Sequence, residues 1–599
     1  MTKNGPKENY EATLMTLTKE LKQLYRNRKN LSWKRLLSFL GAIAALWVLS
    51  ANSWILAIAS CIILISLFVY FVFKDLANSN SIENNLLLIS INKKEQAALN
   101  HQYFDFLDGT EWKPPLHNYA NDLDIFGRAS LYQYANRTTS EQGNKLFANW
   151  LLSPENDGVI KERQDAVKEL APETEWRQRL QAFGINNRLT LKTETNILDW
   201  LNEESRFIKN KFWGILRIIF PVLSFTVVGL YIADVISVDR FLPIMLLFLF
   251  ISYWASKLII PDYIRLDKIT GELETLSSSI SCIENKDFKS PLLSTLKKDF
   301  STIETKASST IKGLKKILDR LDYRLNPVVF IPLSALVCWD LQQIFALENW
   351  KKKNKTITAS WFSSLANFEA ISSIANLSFN HPDWSFPKIV NEDAVFIGEK
   401  IGHPLIPKEK RVTSSYATTG VNQISLVTGS NMAGKSTFLR SVGVNIVLAM
   451  MGSPVCAKHI SVSHLKVMSS MRISDNLEES TSTFYAELKK LKEIIDAVYA
   501  NEKAFLLLDE ILRGTNSADR HTGSTALLKQ LIKHNAAGIV ATHDLELAKL
   551  SEEFPTNIHN YHFDVKVNND ELYFDYKLNK GICRSMNASI LMKKIGIEL

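Results

Sequence analysis

Hydrophobic and polar positions are distributed unevenly along this chain. The first 35 residues are polar and helix-prone, and they close on a basic cluster, Lys22, Arg26, Arg28, Lys29, Lys34 and Arg35. Leu36 to Ser53 and Trp54 to Phe73 then run without a charged residue until Lys74. Uncharged stretches of about 18–20 residues match what a helix needs to cross ~30 Å of hydrocarbon. The polar Ala51-Asn52-Ser53 between them predicts a turn, and so a helical hairpin. A secretory leader fits less well, because the run starts late, is double and lacks a small-residue cleavage site.

A second apolar pair follows. Phe212 to Ala233 carries only Arg217, near its start, where a long side chain reaches the headgroups. After the polar Asp234 to Arg240, Phe241 to Ser256 is apolar almost all round, and its length suits either a short span or a buried core helix. Arg206, Lys209, Lys211, Lys257 and Arg265 bracket the pair, whereas both hairpin turns are nearly bare of positive charge. That asymmetry predicts four spans with both ends inside. The chain is then a multi-pass protein of the cytoplasmic (inner) membrane, with the lipid bilayer as a partner. Downstream, Ile303, Ala307, Ile311, Leu314, Ile317, Leu318 and Leu321 recur at helical spacing and predict long amphipathic helices over 262–325. Pro327 to Val337 is apolar too, but Trp339-Asp340 interrupts it, which favours a buried helix over a fifth span.

At 599 residues the chain has room for several domains, and 46% hydrophobic with 10% aromatic residues excludes a disordered polymer. Seventy basic against 62 acidic residues, a net +8, is a weak bias compatible with nucleic acid or anionic lipid. The five cysteines are scattered without C-x-x-C spacing, so neither a disulfide framework nor a cysteine metal site is expected. The soluble parts then belong in a reducing compartment.

The strongest local signal is Gly429-Ser430-Asn431-Met432-Ala433-Gly434-Lys435-Ser436-Thr437. It follows the apolar strand Ile424 to Thr428 and leads into a helical segment, the strand–loop–helix setting in which G-x-x-x-x-G-K-S cradles a nucleotide. The glycines let backbone N–H groups curl around a phosphate, and the helix N-terminus adds its positive dipole. Lys435 is placed to reach the β- and γ-phosphates of ATP, and Ser436 to hold Mg²⁺. Phe505 to Leu508 reads as a buried strand ending in Asp509, a second Mg²⁺ ligand, and Glu510, the general base for the attacking water. A third buried strand, Gly538 to Thr542, delivers His543, which can contact the γ-phosphate.

These residues resemble a known family. T-G-S-N-M-A-G-K-S-T-F-L-R (428–440), Ser482-Thr483-Phe484 with Glu487, L-L-L-D-E-I-L-R-G-T (506–515) and A-T-H (541–543) look like the ATPase domain of MutS mismatch-repair proteins, in order and spacing. Asn560-Tyr561-His562 is similar to the family's Asn-x-His beside the nucleotide base, and Gly402-His403-Pro404-Leu405 to the motif that opens the domain. An independent block, from Leu131 through Thr138-Thr139, Gly143, Trp150 and Arg163-Gln164-Asp165 to Leu170, resembles the start of the MutS core, or lever, domain.

The resemblance implies a homodimer with two composite ATP sites, the Ser482-Thr483 loop of one subunit closing over the γ-phosphate held by the other. Read from the residues alone, Ser482-Thr483 is equally a helix cap with Glu487 on the following turn. DNA is the partner the family implies, and Lys312, Lys315-Lys316, Arg320, Arg324 and Lys351-Lys352-Lys353 are candidate phosphate contacts. The mismatch-reading domain has no counterpart in 1–96, and the second hairpin occupies the place of the DNA-clamping insertion. Ser430 stands where the family usually has Pro, and Leu512 where it has Gly.

The expected fold is therefore mixed. It comprises a polar segment (1–35), a transmembrane hairpin (36–73), an all-α MutS-like core in two parts (74–211 and 257–385) around an inserted hairpin (212–256), and a C-terminal α/β P-loop ATPase domain (386–599). The expected activity is Mg²⁺-dependent ATP hydrolysis coupled to DNA binding at a membrane. The alternative is an ATP-driven membrane machine that binds no DNA.

Overall fold

The computed structural model describes residues 5–301, 305–430, 433–471, 483–568 and 571–583. The chain divides into two compact units, one of residues 1–135, 377–446 and 455–599, the other of residues 136–376 and 447–454.

The first unit begins with two long helices, α1 (Pro6–Ser50) and α2 (Trp54–Leu99), joined at the Ala51–Ser53 turn. At 1.5 Å per residue, the 45 residues of α1 cover about 65–70 Å, roughly twice the hydrocarbon thickness. The expected boundaries at 35/36 and 73/74 thus fall inside unbroken helices. The polar halves continue the hairpin because they pair with each other. Arg35 meets Asp75 at 3.1 Å, Asn78 donates to Leu24 O at 3.1 Å, and Asn85 to Glu20 at 3.3 Å. At the foot, the buried Tyr10 hydroxyl donates to Asn380 Oδ1 at 2.7 Å, and Asn380 Nδ2 donates to Glu95 at 3.0 Å. Beyond α2, His101 stacks on Tyr134 of the short helix α3 (Leu131–Ala135). The Tyr134 hydroxyl lies 2.6 Å from His381 Nε2.

The second unit is helical among the described residues. It holds α4 (Glu141–Leu152), α5 (Asp157–Leu170), α6 (Thr174–Asn186), α7 (Leu191–Asn202), α8 (Lys211–Ile232), α9 (Val238–Asp267), α10 (Thr270–Glu284), α11 (Pro291–Lys298), α12 (Ala307–Leu321), α13 (Pro327–Val337), α14 (Trp339–Asn354) and most of α15 (Thr358–Asn380). The Thr138–Gly143 block is tied by one buried carboxylate. Glu369 accepts from Thr139 Oγ1 at 2.7 Å, Ser140 Oγ at 2.5 Å and Ser140 N at 3.1 Å. A Cβ on Gly143 would collide with that carboxylate, so the glycine lets α4 approach α15. Burial pushes the Glu369 carboxyl above the usual range, against the pull of these hydrogen bonds. Arg163 donates to Met451 O at 2.8 Å and to Glu155 at 2.9 Å, and its guanidinium lies over Trp150.

By length and composition, α1, α2, α8 and α9 each suffice to cross a membrane, and the bent pair α13–α14 would make a fifth span. The apolar run 241–256 is the middle of α9, whose 30 residues remove the shortness that made it ambiguous. The α13–α14 axis turns by 79° at Cys338, which has a left-handed backbone (φ +50°). The Ser224 hydroxyl on α8 donates to the Leu336 carbonyl freed by that break. In α12 the expected apolar stripe holds: Ile311, Leu314, Leu318 and Leu321 are buried. Ile303 of the same stripe lies outside the described residues.

The first unit also carries the α/β part. Strands β1 (Lys388–Val390), β2 (Val395–Ile401), β3 (Ser414–Thr419) and β5 (His459–Ser463) form one sheet in the order β1-β5-β2-β3. The other sheet runs β10-β9-β4-β8-β7-β6, from β4 (Ile424–Thr428), β6 (Lys466–Ser470), β7 (Ala504–Asp509), β8 (Ala537–Thr542), β9 (Ile558–Asn568) and β10 (Glu571–Lys580). Its strands are parallel except β10, which pairs antiparallel with β9. Every residue of β4, β7 and β8 is buried, which is why these strands read as unbroken apolar runs. Helices α16 (Lys435–Met450), α17 (Thr483–Tyr499), α18 (Ser517–Lys533) and α19 (Leu550–Glu553) complete the unit, the last turn of α16 counting with the other.

Candidate functional site

The site forms where β4 ends. Parallel strands β8 and β9 flank β4, so the chain leaves the sheet centre through Gly429 (φ +150°) and Gly434 (φ +106°) into the first turn of α16. A Cβ on Gly434 would sit 3.1 Å from the Tyr576 ring, in a backbone conformation that side chains rarely adopt, so only glycine fits. Ala433 is buried under the loop. Asn431 and Met432 lie outside the described residues.

Lys435 opens α16 and turns back over the loop. Its Nζ donates to Gly429 O at 2.7 Å and to Ser430 O at 3.0 Å. Burial lowers the lysine pKa, partly offset by Glu510 and Asp509. The next residue, Ser436, donates its hydroxyl to Asp509 Oδ2 at 2.5 Å. Asp509 Oδ1 is buried and has no hydrogen-bond partner among the described residues, and burial raises the pKa of this carboxyl. Two hard oxygen donors side by side, one with an unsatisfied lone pair, suit Mg²⁺. Thr437 is exposed on the same turn.

Glu510 lies one residue past β7 with a left-handed backbone (φ +51°), an unfavourable conformation for a non-glycine residue. Its N–H donates to Ala541 O at 2.9 Å, which holds the strained peptide against β8. The carboxylate lines the cavity with Lys435 and Ser436. His543 Nδ1 lies 3.6 Å from Glu510 Oε1. Arg513, which sequence reasoning missed, places Nε 3.3 Å from Glu510 Oε2 and Nη2 3.7 Å from Asp509 Oδ2. Its signal was its place four residues after Asp509 in a loop rather than a helix. Glu487, one turn into α17, accepts from Leu512 N at 2.5 Å and so ties α17 to the carboxylate loop. Ser482 lies outside the described residues. Thr483 is the first residue of α17.

A cavity of about 410 Å³ opens beside these groups, a size in the range of small-ligand sites. One wall is polar: Ser430, Lys435, Ser436 and Glu510. The other is apolar and aromatic: Ile401, Ile406, Val412, Phe438, Phe563 and Tyr576. Of the second set, sequence reasoning included only Phe438, within the glycine-loop motif. His562 does not line the cavity; its neighbour Phe563 does. Successive residues of β9 point to opposite faces. His562 is instead turned to Gly581 O at 3.0 Å and Asp564 at 3.1 Å. Asn560 braces the end of β8's following segment, donating to Ala548 O at 2.9 Å and Ser551 Oγ at 2.8 Å. Tyr576 reaches the loop where the register of β10 against β9 shifts between Phe574 and Leu578. In the Gly402–Leu405 segment, His403 is half-buried, and its Nδ1 accepts from Leu405 N at 3.2 Å. Burial lowers its pKa to about 4.

These features define an α/β domain with a glycine loop and a carboxylate pair at the carboxyl ends of parallel strands, where open α/β sheets bind ligands. Residues 425–595 match the family model of MutS domain V. The chain is 32% identical over 229 residues to MutS protein homolog 4 of Homo sapiens, covering 36% of this chain and 24% of that protein. It is 38% identical over 165 residues to the DNA mismatch repair protein MutS of Finegoldia magna, covering 27% and 19%. To the protein of that name from Caldicellulosiruptor bescii it is 29% identical over 248 residues, covering 39% and 28%. The chain thus spans about a quarter of the length of these relatives. Over this stretch the chain is similar to proteins of the MutS family.

Proposed function

We propose that this chain is a membrane-anchored MutS-family ATPase that binds Mg–ATP in the cavity at the end of β4 and hydrolyses it. The observation that carries this reading is the Ser436–Asp509 contact of 2.5 Å, beside the cavity that Lys435, Ser436 and Glu510 line. Ser436 and Asp509 would hold the Mg²⁺, which when bound neutralises charge on the β- and γ-phosphates. Lys435 supplies a positive charge to the same oxygens, and the loop N–H groups cradle the phosphates. Glu510 takes a proton from the attacking water, with His543 beside it. Ile406, Val412, Phe563 and Tyr576 offer the apolar surface a nucleobase needs. Lys435→Ala tests the assignment: ATP binding and turnover should both be lost, and normal turnover would remove the glycine loop from the mechanism.

The working form in this proposal is a homodimer, each Ser482-Thr483 loop completing the partner's site. The Glu487–Leu512 link supports it, because a displacement of that loop passes through α17 to the residues following Asp509. The membrane part is supported by apolar side chains left open along the hairpins: Trp47 is 82% exposed, Ile55 80%, Ile218 69% and Phe250 68%. Surfaces of this kind mark contact with lipid or protein. The location proposed is the cytoplasmic membrane, multi-pass, with the α/β domain inside.

For DNA, α12 offers Lys312, Lys316 and Arg320, exposed at spacings of four residues on one face. The other basic candidates are largely committed elsewhere. Lys315 pairs with Glu274 at 2.6 Å, Arg324 with buried Asp340 at 2.8 Å, and Lys351 lies buried over Trp200. Binding of the purified chain to homoduplex, mismatched and branched DNA across a salt series, with and without ATP, tests this part. A second reading, an ATP-driven membrane machine without DNA, is favoured by one observation. Helices α1 and α2 run unbroken from their apolar halves to the Tyr10–Asn380–Glu95 foot, in the unit that holds the cavity. Turnover without any DNA binding at low salt would select it.

A further inference from the structure

We propose that the groove between α8 and the α13–α14 bend is a binding site for an anionic phospholipid, with Arg217 as the ligand of the headgroup phosphate. The inference rests on the reading that α8 crosses the membrane.

The groove encloses about 660 Å³. One side is a stripe of α8, Gly214, Arg217, Ile218 and Pro221, at spacings that place all four on one helix face. The other side is the end of α13 and the first turns of α14, including Val337, Trp339 and Phe345. The lining is mostly apolar and contains one charge.

That charge is held in a fixed orientation. Arg217 Nε donates to Gln342 Oε1 at 2.8 Å, and Gln342 Nε2 donates back to Arg217 O at 2.9 Å. The guanidinium lies 5.1 Å from the Phe345 ring centroid. Among the described residues the terminal nitrogens Nη1 and Nη2 make no hydrogen bond, and no carboxylate pairs with this arginine. The nearest acid in the bend, Asp340, is taken by Arg324 at 2.8 Å. A planar fork with two free donors recognises a phosphate oxygen pair.

Depth decides what brings that phosphate. Trp213, one residue before Gly214, stacks on Trp254 of α9 at 5.3 Å, and paired indoles of this kind sit at the headgroup level. Arg217 is one helical turn further in, roughly 6 Å, at the level where phosphate gives way to acyl chain. Below it, Ile218 (69% exposed) and Val222 (61%) continue the apolar surface. A phosphate that arrives with its own acyl chains uses both parts of the groove, whereas a free phosphate ion uses only the arginine. A zwitterionic lipid brings a cation as well, and no acidic side chain lines the groove to receive it. The selectivity is therefore for anionic over zwitterionic phospholipid.

The test uses the full chain in nanodiscs of phosphatidylcholine with phosphatidylglycerol, with bound lipid counted by native mass spectrometry after release. Wild type should retain phosphatidylglycerol in preference to phosphatidylcholine. Arg217→Ala should lower that ratio about fivefold, the effect of one cation at a membrane surface. Gly214→Phe leaves Arg217 in place but fills the groove, where a Cβ meets nothing within 4 Å; it should reduce lipid retention without unfolding. An unchanged ratio in Arg217→Ala, with the chain still resisting a carbonate wash, overturns the lipid site alone. Release of the chain by that wash overturns the spanning reading and the site together. Displacement of the lipid by millimolar inorganic phosphate would make the groove a phosphate site and also overturn the proposal.

Discussion

Ser436 and Asp509 are 73 residues apart in sequence, and their side chains meet at 2.5 Å, the serine hydroxyl donating to Oδ2 while Oδ1 stays buried without a partner among the described residues. The contact joins the start of α16 to the end of β7, the two elements expected to share a Mg²⁺. Asp509→Asn keeps the size and the contact with Ser436 but removes the negative charge. The Mg²⁺ concentration for half-maximal ATP turnover should rise by about tenfold or more. A magnesium titration of turnover reads this directly, and an unchanged midpoint would place the metal elsewhere.

Phe563 and Tyr576, rather than His562, form the aromatic wall of the cavity. Phe563→Ala should weaken binding of a fluorescent ATP analogue several-fold, the effect of losing one aromatic contact. His562→Ala should weaken it much less, because that ring is turned to Gly581 O. The opposite order would show that the nucleobase lies on the other face of β9.

Much of this site was legible from local sequence, and the reason is physical. The loop, its lysine and its serine run from the end of an all-buried strand into the first turn of a helix, so short-range pattern encodes them. Asp509 and Glu510 likewise follow an all-buried strand. The aromatic wall was not legible. Phe563 faces the cavity through the register of β9 on β4, and one residue of slip would have presented His562 instead. Tyr576 arrives through a register shift in β10. Ile406 and Val412 come from the loop between β2 and β3, outside the quoted motifs. The two helical hairpins were visible as apolar runs. Their true helix length was not, because Arg35–Asp75 and Asn85–Glu20 act across the hairpin and leave no periodic apolar signal. The division between units at 135/136 was also invisible, since it cuts through the Leu131–Leu170 block.

Among the described residues, the buried Glu369 carboxylate is the acceptor for both Thr139 Oγ1 and Ser140 Oγ in the helical unit. Glu369→Ala should destabilise the protein by about 2–4 kcal/mol, because two buried donors of Ser140 and the half-buried Thr139 hydroxyl lose their partner. Glu369→Gln, which keeps one carbonyl oxygen, should cost less. Thermal unfolding of the detergent-purified chain separates the two, and equal melting temperatures for wild type and alanine variant would contradict this account of the Thr138–Gly143 block.

His403 is held neutral by burial, its pKa lowered from 6.5 to about 4. The unfolded chain therefore binds a proton between these values that the folded chain does not, so stability is full above about pH 6.5 and falls as pH drops toward 4. The loss from this one group is on the order of 3 kcal/mol at pH 4. His403→Asn retains an acceptor for Leu405 N but does not titrate. Melting temperature should fall less steeply for this variant than for wild type between pH 7 and pH 4.5, and parallel slopes would exclude His403 as a source of acid sensitivity.

The most direct measurement on the central claim is ATP turnover by the purified full chain with Glu510→Gln beside wild type, at saturating Mg²⁺. Glutamine preserves shape and cannot accept the water's proton. The variant should bind ATP as tightly as wild type and hydrolyse it about 10²–10⁴-fold more slowly, the range a general base supplies. Equal turnover in the two proteins would contradict the assignment of Glu510 as the base and, with it, the proposed reaction at this cavity.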